Sequence, residues 1–116
     1  MGYRQPTITE ITDCYQHTTP LLRFQIQHDG TTAVIGNFMT VRFILKPSPT
    51  SARVISDSSC FVTDSTRGMV ECRLSLSDTT DAYHQVFGEL RLEDHVLQTS
   101  DVVDQYRFEI LPSLGG

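Results

Sequence analysis

The sequence predicts an all-β domain, an antiparallel β-sandwich of about seven to nine strands. Several short segments alternate apolar and polar residues, which gives a strand one buried and one exposed face. Turn signals separate these segments at spacings of about ten residues. Ala is scarce and the β-branched residues Thr and Val are abundant, which favours strands over helices. A small jelly roll is the alternative architecture that the strand count leaves open.

The clearest alternation lies between Arg67 and Glu93, which we interpret as two half-exposed strands of an antiparallel sheet. The polar connection Ser77–Gln85 joins the strands Met69–Leu76 and Val86–Glu93. The residues predicted to face inward are Val70, Cys72, Leu74, Leu76, Val86, Gly88, Leu90 and Leu92.

The first half of the chain supplies further candidate strands, separated by turn and loop signals. They are Thr7–Cys14, Leu21–Gln27, Thr31–Ile35 and Phe38–Leu45. Asp29-Gly30 is a tight-turn signal, so it predicts a hairpin between the second and third of these strands. The segment Lys46–Ser51 contains two prolines, which lack amide donors, and is predicted to be a surface loop.

The second half predicts shorter strands and a longer closing strand. They are Arg53–Ser56, Cys60–Thr63, Val96–Thr99 and Gln105–Leu111, with polar connections at Asp57–Ser59 and Ser100–Asp104. The whole chain, 1–116, is predicted to be a single domain with a lead-in at 1–6 and a tail at 112–116.

The alternation also predicts which side chains form the hydrophobic core. They are Leu22, Phe24, Ile26, Val41, Phe43, Val70, Cys72, Leu74, Leu90, Leu92, Phe108 and Ile110. A core of this size folds a domain of this length without metals or disulfides.

Charge argues against nucleic acid and membrane as partners. The net charge is −5, and Lys46 is the only lysine, so no basic patch is available to replace phosphate counterions. No apolar run reaches the length of a membrane span, and no signal peptide opens the sequence. We therefore expect a protein that is made in the cytoplasm.

The three cysteines, Cys14, Cys60 and Cys72, leave at least one thiol unpaired. In a reducing cytoplasm all three are expected to be free, and Cys72 to be a small core residue. A disulfide between Cys60 and Cys72 is the alternative, and it depends on a Cβ separation that the sequence does not show.

No pattern of residues predicts a catalytic, cofactor or metal site. The histidines His17, His28, His84 and His95 stand at no zinc-ligand spacing. The acidic loop Ser77–Asp81 lacks the glycine of a calcium loop, and is expected to make turn-stabilising hydrogen bonds instead. No G-x-S-x-G elbow or phosphate-binding glycine loop occurs. We therefore predict no enzyme and no cofactor.

Ile44 and Phe87 are the candidate interface residues. Each falls on the outward face of a well-patterned strand, among polar neighbours. Two large apolar side chains on the outside of central strands suit a surface that another protein covers.

The order of these patterns resembles a known family. A strand V-x-F-x-L at Val41–Leu45 and a proline-containing loop precede V-x-D-x-x-x-G-x-V-x-x-x-L, which starts at Val62. GELRLED at 88–94 and a closing YRFEIL at 106–111 follow. Over residues 20–112 this is similar to the immunoglobulin-like (Ig-like) domain at the N-terminus of tailed-phage baseplate upper proteins. Asp81-Ala82-Tyr83 also resembles the tyrosine corner of Ig domains.

The resemblance implies a virion structural protein, a docking or decoration module in the tail, in the baseplate or on the capsid. Its implied partners are other virion proteins, in a homo-oligomer or a multi-copy assembly. Family members continue into a helical linker, which this sequence does not show. The alternatives are a cytoplasmic binding or inhibitor module outside a particle and, less favoured, a small enzyme.

Overall fold

The computed structural model describes residues 8–10, 14–28 and 31–114, which contain eleven strands and no helix. The all-β prediction is therefore confirmed. The strands are β1 Ile8–Glu10, β2 Cys14–Tyr15, β3 Leu21–Gln25, β4 Gln27–His28, β5 Thr31–Thr32, β6 Met39–Lys46, β7 Ser56–Ser59, β8 Phe61–Asp64, β9 Met69–Arg73, β10 Tyr83–Asp94 and β11 Thr99–Leu111. The predicted lead-in at 1–6 and the turn Asp29-Gly30 lie outside the described residues.

The strands form a sandwich of two sheets. The larger sheet has the order β1-β11-β10-β6-β7, with β2 also on β11, and the smaller sheet has the order β3-β9-β8. Strands β4 and β5 pair with each other in a separate two-stranded sheet. All pairings are antiparallel except those of β1 and β2 with β11. In the larger sheet, the order β11-β10-β6 corresponds to strands G, F and C of an Ig domain, and β7 extends this sheet beyond β6. In the smaller sheet, the order β3-β9-β8 corresponds to strands B, E and D. This order favours the Ig-like arrangement over the jelly roll.

The predicted core is confirmed. All twelve side chains named from the alternation are buried, and Val86, Val103, Ala33 and Ile35 join them. Leu76 was predicted to face inward, but its side chain is 59% exposed. Strand β9 ends at Arg73, and Leu76 lies in the turn that follows, where strand alternation no longer applies.

Phe43 of β6 is the central contact between the two sheets. Its side chain is fully buried, and its ring centroid lies 5.2 Å from that of Phe24 on β3. Tyr106 on β11 completes the cluster, with its centroid 4.9 Å from that of Phe24. A Cβ added at Gly88 would lie 2.4 Å from the tip of the Phe43 ring. The ring therefore occupies space on β10 that only a glycine leaves open.

The two strands with the clearest alternation do not pair with each other. Strand β9 lies in the smaller sheet and β10 in the larger one. The connection between them passes from one sheet to the other. Thr79 fixes this connection, since its buried hydroxyl donates to the carbonyl of Thr18 at 2.7 Å and accepts from the Thr18 amide at 3.2 Å.

The strand predictions around residue 57 were wrong in detail. The predicted turn Asp57–Ser59 lies within β7, whereas 53–55 are outside any strand. Strand β7 is the edge of the larger sheet, and its mostly polar side chains give it no hydrophobic alternation. A polar edge strand therefore looks like a turn in the sequence.

The prediction for residues 96–104 was also wrong. Residues 95–98 form the turn between β10 and β11, and the predicted connection Ser100–Asp104 lies inside β11. The register shifts between Leu90 and Arg91, where Asp104 and Val102 are the partners. This bulge buries Val103 and Asp104 in succession, which breaks the alternation that identifies a strand.

The buried position of Leu90 leads to a stability prediction. Leu90→Ala should lower the free energy of unfolding by about 2–5 kcal/mol, because a cavity remains in a packed core. Arg23→Ala on β3, whose side chain is largely exposed, is the control and should change it by about 0.5 kcal/mol or less. Urea denaturation measures both values. Equal effects of the two substitutions would contradict the strand register.

Gly88→Ala tests the contact with Phe43. The added methyl group would overlap a buried ring, so we expect a loss of about 1–3 kcal/mol. In the double variant Gly88→Ala/Phe43→Leu the overlap is relieved, and the combined loss should be smaller than the sum of the two single losses. Additive losses would show that the ring does not occupy this space.

Candidate protein-interaction site

A groove lies on the face of the larger sheet that points away from the core. It has a volume of about 210 Å³. We call it the outer groove, and its lining residues are Ile44, Lys46, Pro49, Phe87, Gly88, Glu89, Arg91 and Gln105.

The register of β6 and β10 creates the apolar part of the outer groove. Glu89 pairs with Ile44, and Phe87 pairs with Lys46, so Ile44 and Phe87 are diagonal neighbours on one face. Both side chains are half-buried. The structure thus brings together the two residues that the sequence singled out. That another protein covers them stays a prediction.

A row of polar contacts forms the other wall of the outer groove. The guanidinium of Arg91 donates to Glu89 Oε2 at 2.8 Å, and the Gln105 amide donates to Glu89 Oε1 at 3.1 Å. Arg91 also donates to the Ser100 hydroxyl, at 3.2 and 3.3 Å. The Glu89 charge is therefore compensated before any partner binds. Lys46 has no ion-pair partner among the described residues, and its ammonium is the available charge of the groove.

A network of ion pairs lies at one side of the outer groove. Arg42 on β6 donates to both carboxylate oxygens of Asp57 on β7 and to Glu93 on β10, the latter at 2.7 Å. The hydrogen bonds that Arg42 donates to Asp57 first, and then to Glu93, raise the pKa of Arg42 above its usual range. The network connects three neighbouring strands, so Arg42 acts as a structural cation.

The turn between β10 and β11 presents a second apolar surface, which the sequence analysis missed. Val96 and Leu97 in this turn are 69% and 70% exposed. The Asp94 carboxylate accepts from both of their amides at 2.9 Å, and the His95 amide donates to the Phe38 carbonyl at 2.9 Å. We call residues 95–98 the hairpin tip. The signal in the sequence was the pair Asp94-His95 followed by two apolar residues, a pattern that also suits a strand.

The predicted absence of a metal site stays a prediction. Within residues 8–10, 14–28 and 31–114 no three His, Cys, Asp or Glu side chains are grouped as metal ligands. His17 and His95 are exposed, His95 contacts the Thr40 hydroxyl at 2.7 Å, and the side chains of His28 and His84 are not described. The same residues contain no helix that is long and apolar enough for a membrane span.

The acidic loop makes the turn-stabilising hydrogen bonds that were predicted. The Asp78 carboxylate accepts from the Ser75 amide at 2.8 Å, and the Thr80 hydroxyl donates to the Leu76 carbonyl at 3.1 Å. Tyr83 begins β10 and packs against the core, as a corner tyrosine would. A hydrogen bond from its hydroxyl is not among the contacts of the described residues, so only the position resembles the tyrosine corner.

The ion network at Arg42 leads to a salt-dependent prediction. Arg42→Met keeps the apolar stem but removes three hydrogen bonds, so it should destabilise the protein by about 1 kcal/mol at low salt. High salt should reduce this loss, because ions screen the charges of partly exposed pairs. Urea denaturation at low and at high salt gives both values. Arg23→Met removes a single, more exposed pair with Glu71 and should cost less; equal losses would contradict the structural role of Arg42.

Comparison with known proteins adds no family to these observations. No protein-family model matches the chain, and no curated protein is significantly similar to it in sequence.

Proposed function

We propose that this chain is a non-enzymatic docking module that works through protein–protein contacts in a phage virion. The observation that carries the proposal is the outer groove, where Ile44 and Phe87 form one half-buried apolar surface on central strands. The partners would be other virion proteins, including further copies of this chain.

The size of the outer groove favours a protein side chain as its occupant. Its volume of about 210 Å³ is below the range of roughly 300–1,000 Å³ that is typical of small-molecule sites. A groove of this size accommodates one large apolar side chain, which is how interfaces place their central anchors. The ion pair between Glu89 and Arg91 beside the groove resembles the polar rim of such an interface.

The virion setting is supported by the resemblance to phage Ig-like docking domains. That resemblance rests on the alternation around Val41–Leu45 and on the segments that follow it. The Ig-like strand order agrees with the fold that the resemblance implies. The fold by itself hosts many functions, so the setting needs a direct test.

The test is a double substitution in the outer groove. Ile44→Asp/Phe87→Asp places two carboxylates on the apolar wall without touching the core, so the domain should stay folded. Burying these charges at an interface would cost far more than exposing them, and we expect the variant to be lost from purified particles. The readout is the copy number of the chain in particles, with circular dichroism of the purified chain as the folding check.

Phe61→Asp is the matched control. Phe61 is 72% exposed on β8, in the smaller sheet, and its substitution should leave incorporation unchanged. Normal incorporation of the double variant would overturn the choice of Ile44 and Phe87. Absence of the unmodified chain from particles would overturn the virion setting, and a turnover activity of the monomer would overturn the non-enzymatic role.

A further inference from the structure

We propose that Cys60 and Cys72 form a redox-active dithiol, which a small peroxide converts reversibly into a cross-strand disulfide at the edge of the smaller sheet. This modification site is independent of the outer groove and of the docking function proposed above.

The strand register places the two cysteines opposite each other. Strands β8 and β9 are antiparallel, with Phe61 opposite Glu71 and Val62 opposite Val70. Cys60 immediately precedes β8, and extending the same register by one residue places it opposite Cys72. Residues directly opposed in antiparallel strands have Cα atoms about 4.5–5.5 Å apart, within the range of about 4.4–6.8 Å that disulfides require. The bridge therefore needs no large movement of the backbone.

The two thiols are close enough for each to shift the pKa of the other. The Ser58 hydroxyl lies 3.5 Å from the sulfur of Cys72. The Cys60 amide donates to the Val41 carbonyl at 2.7 Å, which holds Cys60 where the chain passes from β7 to β8. Both partners of the bridge are thus positioned by the fold. Cys14 lies on β2, beside β11 in the larger sheet, and is not part of this pair.

Contacts around Cys72 also favour its thiolate. The hydrogen bond from Cys60, followed by that from Ser58, outweighs burial and the Asp78 charge and lowers the pKa of Cys72 to about 7. The same contact with Cys72, together with burial, raises the pKa of Cys60. The Ser58 hydroxyl beside its sulfur favours Cys72 as the position of the thiolate, and a thiolate is the form that reacts with peroxides.

The chemistry balances with hydrogen peroxide as the only oxidant. The Cys72 thiolate attacks one peroxide oxygen, the O–O bond breaks, and hydroxide leaves, so that a sulfenic acid forms on Cys72. The sulfur of Cys60, losing its proton, then attacks the Cys72 sulfur, and the sulfenic oxygen leaves as hydroxide. In sum, two thiols and one peroxide give one disulfide and two waters. A dithiol reductant reverses the bridge by exchange.

The experiment uses the full chain with Cys14→Ala, which leaves only the proposed pair. One equivalent of hydrogen peroxide should remove two hydrogens from the intact mass, and peptide mapping should join Cys60 to Cys72. Closing this short loop restricts the unfolded chain, so the midpoint of thermal unfolding should rise on oxidation and fall back with dithiothreitol.

Two further variants separate the dithiol from ordinary thiol oxidation. Cys14→Ala/Cys60→Ser should form a sulfenic acid that dimedone traps, without a disulfide. Cys14→Ala/Cys72→Ala should form neither the bridge nor the trapped product at one equivalent of peroxide. Intermolecular dimers, or oxidation of both sulfurs to sulfinic acids without a bridge in the Cys14→Ala chain, would overturn the proposal. No reaction of that chain would overturn it as well.

Discussion

The contact of the Phe43 ring with Gly88 is the constraint on which the rest of the structure depends. The ring fills space that a Cβ on β10 would occupy, and it stacks on Phe24 of the opposite sheet. In Ig domains a tryptophan on the equivalent strand packs against a disulfide that joins the two sheets. In this chain the Phe43 ring, which packs on Gly88, occupies the corresponding position between the sheets, next to Tyr106.

The same contact determines which side chains reach the outer face. Since Phe43 and Gly88 point inward, strand alternation turns Ile44 and Phe87 outward. The antiparallel register then makes them diagonal neighbours, and the outer groove forms between them. The apolar surface outside the sheet is thus a geometric consequence of the packing inside it. A shift of one residue in either strand would remove both.

The long β10–β11 hairpin connects the two apolar surfaces of the molecule. Phe87 lies at the outer groove, in the half of β10 that is farther from the turn. Val96 and Leu97 lie at the hairpin tip. Hydrogen bonds from their amides to the Asp94 carboxylate stabilise the turn on which these side chains are exposed. Exposed apolar side chains on ordered backbone lose little further entropy on binding, which suits a docking module.

Most of the core and both residues of the candidate site could be predicted from the sequence, because alternation is a local property. Because Val41, Phe43 and Leu45 face inward, strand alternation makes Ile44 face outward, whichever strand pairs with β6. Only the tertiary structure decided which strands are neighbours, that β9 and β10 lie in different sheets, and that Cys60 meets Cys72. Polar segments such as β7 are strands because β6 pairs with them. Those choices depend on hydrogen bonds and packing between residues far apart in the chain, which no local pattern contains.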